Sequence, residues 1–273
     1  MVPENRPDGS SRENFEVQGL ETVASALLTL SLVAAAITIS RYQRLDLERD
    51  IAIAVVRSFV QLTAIGYAIN LVFGLESLLY VLLLLTGMVA FASWTSAGRG
   101  KGVSGAFPIS VVAIGVAAAA TLGVLLALQI VPPTARYLIP LGGMVIGNSM
   151  NTASLTLGRI RDDVNAHRLN IEAALALGAT KRQAISPVLK TALQNAMTPL
   201  IDATKTTGLI FLPGAMAGMI IGGADPLEAV RLQLVVMYML LGSVSISAIL
   251  VGLLSYRSFF TPRHQLRTAP PES

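Results

Sequence analysis

The sequence has no cysteine, two histidines and one tryptophan, and only 13% of its 273 residues are charged. Each shortage removes a class of function. Without cysteine there is no disulfide framework, no thiolate metal site and no cysteine nucleophile. The two histidines, His167 and His264, are too far apart in the chain to begin a metal cage, and both are expected to be solvated. No G-x4-GK[ST] string occurs, and GRGKG at 98–102 lacks the spacing and strand context of a P-loop. HExxH is absent, Gly147-Asn148-Ser149-Met150 is no nucleophile elbow, and Gly223-Ala224-Asp225 lacks the second glycine of a GxGD protease. The chain is therefore expected not to be an enzyme and to bind no cofactor itself.

What abounds is apolar. Hydrophobic residues make up 53% of the chain and the mean hydropathy is +0.65, whereas a soluble domain carries about a quarter charged residues. The expected partner is the lipid bilayer, and the net charge of +4 reports topology rather than nucleic-acid binding. A spanning helix needs roughly 20 apolar residues. Six stretches qualify readily: 20–40, 51–73, 77–97, 107–131, 137–157 and 229–254. A further crossing is expected within 187–223, a stretch too long for one straight span. Pro199 and Pro213 each remove a backbone donor there, so a broken helix is expected, with a surface helix plus a re-entrant segment as the alternative. The fold class is thus all-α and polytopic, with about seven transmembrane helices.

Charge sets the orientation. With the C-terminus inside, the cytoplasmic segments hold fourteen Lys and Arg and the opposite side four. Residues 1–19 then form a disordered, acidic, extracytoplasmic tail without the basic start of a cleaved signal, 20–256 the transmembrane domain, and 257–273 a cytoplasmic basic tail. Little order is expected beyond 262. No internal repeat is visible, which counts against secondary-transporter folds built from inverted halves. Arginine fills sixteen of the twenty basic positions, in keeping with a GC-rich bacterial genome and a multi-pass protein of the bacterial inner membrane.

The most informative segment is the cytoplasmic loop 159–190. Asp162, Asp163 and Asn165 are helix starters, while Ile171, Ala174, Leu175 and Leu169 recur at helical spacing. Gly178 supplies a left-handed stop and Thr180 a cap for a second short helix, from which Lys181, Arg182 and Gln183 would project toward a partner. Glu172, Ala173, Ala174, then three residues and Gly178 and Ala179, resemble the EAA loop of ABC-transporter permeases, although Ile185, Ser186 and Pro187 stand where Ile-x-Leu-Pro is usual. That resemblance implies that Glu172, Ala173, Ala174, Gly178, Ala179, Lys181 and Arg182 couple the chain to a cytoplasmic ATPase subunit, which would bind the ATP.

Four further stretches narrow it: RSFVQLTAIGY at 57–67, GGMVIGNSM at 142–150, IDATKTTGLIFLPGAMAGMIIGGADP at 201–226 and FF-x3-HQL at 259–266. Together, from about residue 20 to 266, they resemble the Fet-type iron-export ABC permeases, a family related to plant aluminium-sensitivity permeases. The resemblance implies a homodimer, two ATPase copies beneath it, and iron export for metal homeostasis. The same architecture moving a nucleotide sugar, an ion-gradient-driven carrier, and a non-transporting membrane anchor are the alternatives.

Candidate path residues carry two readings each. Arg57 and Gln61, at i and i+4, either face a translocation path or snorkel to headgroups. Asp202 and Lys205, at i and i+3, form either a gate or a structural pair. Asn148 and Asn151, in a polar run with Ser149, Thr152 and Ser154, line a path or hold helices together. Asp225 and Glu228 suit iron by hardness, though Asp225-Pro226 is also a helix start, and Met144, Met150 and Met216 bind soft ions or simply pack.

Overall fold

The computed structural model describes residues 28–73, 78–100, 102–263 and 265–267. The expected acidic tail, Lys101 and His264 lie outside these residues. Two compact units, Met1–Leu71 and Val72–Ser273, divide within one helix.

The first unit contains α1, described over Leu28–Tyr42, and most of α2, Glu48–Phe73. The link is a tight turn with Arg44 and Asp46 at φ 54° and 55°. Ser40 accepts there from Leu45 N at its carbonyl (3.0 Å) and from Leu47 N at its hydroxyl (3.2 Å). Glu48 and Asp50 in the first turn of α2 complement the positive end of the helix dipole.

The second unit contains α3 (Leu78–Arg99), α4 (Ala106–Ala127), α5 (Ala135–Ala166), α6 (Arg168–Ala176), α7 (Lys181–Thr206), α8 (Gly214–Ile221) and α9 (Pro226–Ser255), followed by a 3-10 turn, Tyr256–Phe259. Helices α3, α4, α5 and α9 pack on one another, and α7 lies against α5 and α9. Their interface is made of small and branched residues, among them Ala113, Ile114, Ala117, Val145, Ala153, Leu157, Val244 and Ala248, all buried. Small polar residues share it: Ser110 Oγ donates to Ser96 Oγ at 3.2 Å, and Ser247 Oγ donates to the Ser149 carbonyl at 3.2 Å. Such contacts suit helices that lipid does not drive together. Gly142 shows how close the approach is, since a methyl there would collide with Leu85 of α3.

Among the described residues four helices are long and apolar enough to cross a membrane: Glu48–Tyr67, Leu78–Arg99, Ala106–Ala127 and Pro226–Phe259. Among the described residues, length and apolarity alone thus support four of the about seven spans expected. Helix α1 is described for only 15 residues, α5 carries the polar run and a charged last third, and α7 carries Lys, Asp, Gln and Asn along its length.

Two expectations are corrected at the end of α5. Asp162, Asp163 and Asn165 do not start a helix; α5 runs through them to Ala166 because Ile160 and Val164 continue its buried stripe. The second helix of the loop is not short either. Helix α7 continues for 26 residues with Pro187 and Pro199 inside it, a length of about 39 Å at 1.5 Å per residue. Of the two prolines expected to break this stretch, Pro199 stays inside α7 while Pro213 stands at the start of α8, and the break is the stretch from Thr207 to Pro213 between the two helices. Since α5 and α9 both end beside α6, α7 must carry the chain away from that end and α9 return it.

Candidate functional site

The end of the second unit where α5 finishes is built around a small core of its own. Ile160 and Val164 of α5, Ile171 of α6, and Ala184, Ile185, Val188 and Leu189 of α7 close on each other, with Phe260 and Leu266 from beyond α9. The burial of Leu266 corrects the expectation of little order past 262 for 265–267, because its apolar side chain finds this core; residues 268–273 of the expected tail lie outside the described residues.

Helix α6 is held by its inner face, Ile171, Ala174 and Leu175. Its outer face is also apolar and has no cover: Leu169 is 79% and Leu177 89% exposed, with Ala173 and Ala176 exposed between them. The helix ends where Gly178 adopts φ 91°, a conformation costing an L-residue about 1–2 kcal/mol. Ala179 follows, half-buried. Thr180 then caps α7: its hydroxyl accepts from Gln183 N, and its own N–H donates to Gln183 Oε1 at 2.9 Å, a complete capping box.

The charged members of this segment divide their work. Glu172 is half-buried and pairs with Arg168 Nε at 2.9 Å, one turn back. Arg168 Nη1 also donates to the Arg267 carbonyl at 3.2 Å. Lys181 Nζ donates to the Thr261 carbonyl at 2.9 Å, so it does not project outward as expected, whereas Arg182 is exposed.

Beside this region a groove of about 660 Å³ runs between α5 and α7. Asn148, Asn151, Thr152 and Ser154 line it, with Pro199 and Leu200 opposite. Asn148 Nδ2 donates to the Met144 carbonyl at 2.8 Å, tying that amide to its own helix. Arg99, Arg159 and Asp162 also line the groove, all three exposed. Sequence reasoning counted the two arginines only as topology signals; their positions at the ends of two different spans were the available clue. On α7 the polar face is exposed at Thr191, Gln194, Thr198, Asp202 and Lys205. Lys205 Nζ and Asp202 Oδ1 are 3.2 Å apart, so the predicted pair exists, with both side chains more than half exposed.

The remaining predicted residues are separate from this groove. Arg57 and Gln61 occupy successive turns of α2 in the first unit. Asp225 caps α9, its Oδ1 accepting from Leu227 N at 2.8 Å and Glu228 N at 3.3 Å, with Pro226 at the first helical position. Glu228 is exposed in the same turn. Met144 and Met150 lie half-buried on α5 and Met216 half-buried on α8. Among the described residues no three His, Cys, Asp or Glu side chains gather as a metal site would need. His167 is exposed, its Nδ1 3.0 Å from the Asp163 carbonyl.

Residues 23–260 match the model of a family described as an uncharacterised protein family, UPF0014. The chain is 43% identical over 255 residues to the UPF0014 membrane protein STAR2 of Oryza sativa subsp. japonica, covering 93% of this chain and 88% of that one. It is 40% identical over 252 residues to the protein ALUMINUM SENSITIVE 3 of Arabidopsis thaliana, covering 92% and 91%. It is 36% identical over 245 residues to the probable iron export permease protein FetB of Escherichia coli (strain K12), covering 90% and 95%. No solved structure matches it. The chain belongs to the UPF0014 family and is a multi-pass membrane protein.

Proposed function

We propose that this UPF0014 protein is the membrane-spanning permease subunit of an ABC transporter of the bacterial inner membrane, working as a homodimer and exporting iron, with ATP hydrolysed on a separate cytoplasmic subunit. The observation that carries the reading is the outer face of α6. A nine-residue helix buried on one side and showing Leu169, and Leu177 just past its end, on the other, ahead of an α7 closed by a complete capping box, has the shape of an element made for a partner's groove. The charge bias places it in the cytoplasm.

Helix α7 supplies the connection. It starts in the coupling hairpin and ends at the break before α8 as one helix, Lys181–Thr206, so a displacement of the hairpin that moves the first turn of α7 is carried along a single helix to the far end of the bundle. Its exposed polar face, Thr191 to Lys205, is costly against lipid and is satisfied by a second copy enclosing a watered path. Closure of two ATPase subunits would bring two α6 helices together and alter access to the groove between α5 and α7. Among relatives, one is named a probable iron export permease, which supports iron as cargo.

A second reading of the cargo, an anionic solute such as a nucleotide sugar, is favoured by Arg99 and Arg159 in the lining of the groove, where the one carboxylate, Asp162, is already paired with Arg161 at 2.8 Å. The experiment is co-purification in lipid with a candidate Walker-containing ATPase from the same organism, followed by ATPase assay with ferrous iron and with a nucleotide sugar. Stimulation by one names the cargo. Transport by this chain alone, driven by an ion gradient, would overturn the ABC reading.

A further inference from the structure

The FF-x3-HQL end of the chain has no part in the function proposed above, yet it is tied into the coupling hairpin at every level of structure. Beyond α9 the chain makes the 3-10 turn Tyr256–Phe259 and then doubles back: Thr261 N donates to the Gln265 carbonyl and Arg267 N to the Phe259 carbonyl, both at 2.8 Å, and Phe260 bridges Leu266. That small loop drives two apolar side chains, Phe260 at 3% exposure and Leu266 at 8%, into the core shared by α5, α6 and α7. Two cations then reach across to its backbone. Lys181, the first residue of α7, donates to the Thr261 carbonyl, and Arg168, the first residue of α6, donates to the Arg267 carbonyl. Glu172 holds Arg168 from the other side at 2.9 Å.

Without this loop, α6 would hang from α5 and α7 by its chain connections and by Ile171 and Leu175. With it, the hairpin is fixed to the foot of α9 as well, through α9's own continuation. A push on α6 then moves α7 and α9 together instead of bending the hairpin against them. We propose that residues 256–263 and 265–267 are a tie that couples α6 to α9, with Phe260, Leu266 and Lys181 as its positioning residues and Glu172 acting through Arg168. The proposal rests on α6 being the coupling element, and it adds α9 as a second helix that receives the stroke.

Because the native chain has no cysteine, a single Ala173→Cys on the exposed face of α6 takes one spin label. Label mobility is measured in lipid without any ATPase, in the parent and in Leu266→Ala, Phe260→Ala and Lys181→Met backgrounds. The tie predicts a label immobile in the parent and freed in all three, with Lys181→Arg restoring the parent spectrum. Unchanged spectra in the three variants would overturn the proposal whether or not an ATPase partner exists.

The second measurement uses label-free chains with the co-purified ATPase and ferrous iron. Here the tie predicts that Leu266→Ala keeps its ATPase subunit and its hydrolysis while export per ATP falls about tenfold. Loss of export, hydrolysis and ATPase retention in equal proportion would mean that Leu266 only supports folding, and would overturn the proposal. Linking Ala176→Cys to Gln265→Cys, which line one cleft of about 930 Å³, with a flexible bis-maleimide should restore export to Leu266→Ala. No restoration by the link would count against the tie. If the parent retains no ATPase, the coupling reading falls, and the label spectra still decide the tie.

Discussion

Lys181 Nζ donates a 2.9 Å hydrogen bond to the carbonyl oxygen of Thr261, eighty residues along the chain, and so fastens the first turn of α7 to the segment beyond α9. The next residue, Arg182, is exposed. Two adjacent cations in one short basic helix start therefore do different work, one inside the protein and one at its surface.

That division predicts opposite phenotypes. Arg182→Glu should reduce the amount of ATPase that co-purifies, with an effect that weakens as salt rises, because an exposed charge is screened. Lys181→Met should leave retention unchanged in the same pull-down. Equal loss in both would mean that Lys181 reaches the partner.

Removal of the cap should be felt as stability. Thr180→Ala deletes the hydroxyl that accepts from Gln183 N, at a cost of about 1 kcal/mol. Thermal unfolding in detergent should show a lowered midpoint for Thr180→Ala and a near-parental one for Thr180→Ser. A midpoint unchanged in Thr180→Ala would show that the core around Ile171 and Ile185 holds the hairpin without it.

The contact of Gly142 with Leu85 predicts a compensating pair. Gly142→Ala places a methyl into Leu85, and overpacking of this kind costs about 1–3 kcal/mol. Leu85→Ala leaves space at the same point, so the double variant should be more stable than the sum of the two singles implies. Simple additivity in a thermal double-mutant cycle would contradict the close approach of α3 and α5.

For Asp202 and Lys205, 3.2 Å apart and largely exposed, the single reversals Asp202→Lys and Lys205→Asp should impair assembly of the proposed homodimer, and the double reversal should recover it. Cross-linking yield in membranes measures this. A double reversal as poor as either single would show that the pairing is not what the position requires.

How much of this was legible in the chain depends on how local the cause is. Gly178 as a left-handed stop and Thr180 as a cap were readable because turn chemistry acts over a few residues; Gln183, expected to project toward a partner, instead turns its side chain back to Thr180 N and closes the capping box. The continuation of α5 to Ala166 was not, since Asp162 and Asp163 look like a start and only the tertiary burial of Ile160 and Val164 overrides them. The internal use of Lys181 and the burial of Leu266 depend on a meeting of segments far apart in sequence, which no spacing rule reports. Arg99 and Arg159 were visible as inside-positive charges; their shared place in the lining of one groove needed the packing of α3, α5 and α7.

The central claim is that α6 is the point where a partner's ATP hydrolysis enters this chain, and it is tested most directly at its uncovered leucine and its left-handed glycine. ATPase retention, ATP hydrolysis and ferrous-iron export are measured together for the parent, Leu177→Asp and Gly178→Val, with membrane insertion as control. The account predicts that Leu177→Asp is inserted normally but loses its ATPase subunit, and that Gly178→Val, which forces a β-branched residue to φ 91°, loses stimulated hydrolysis and export together. Normal retention and coupled export in both variants would contradict it.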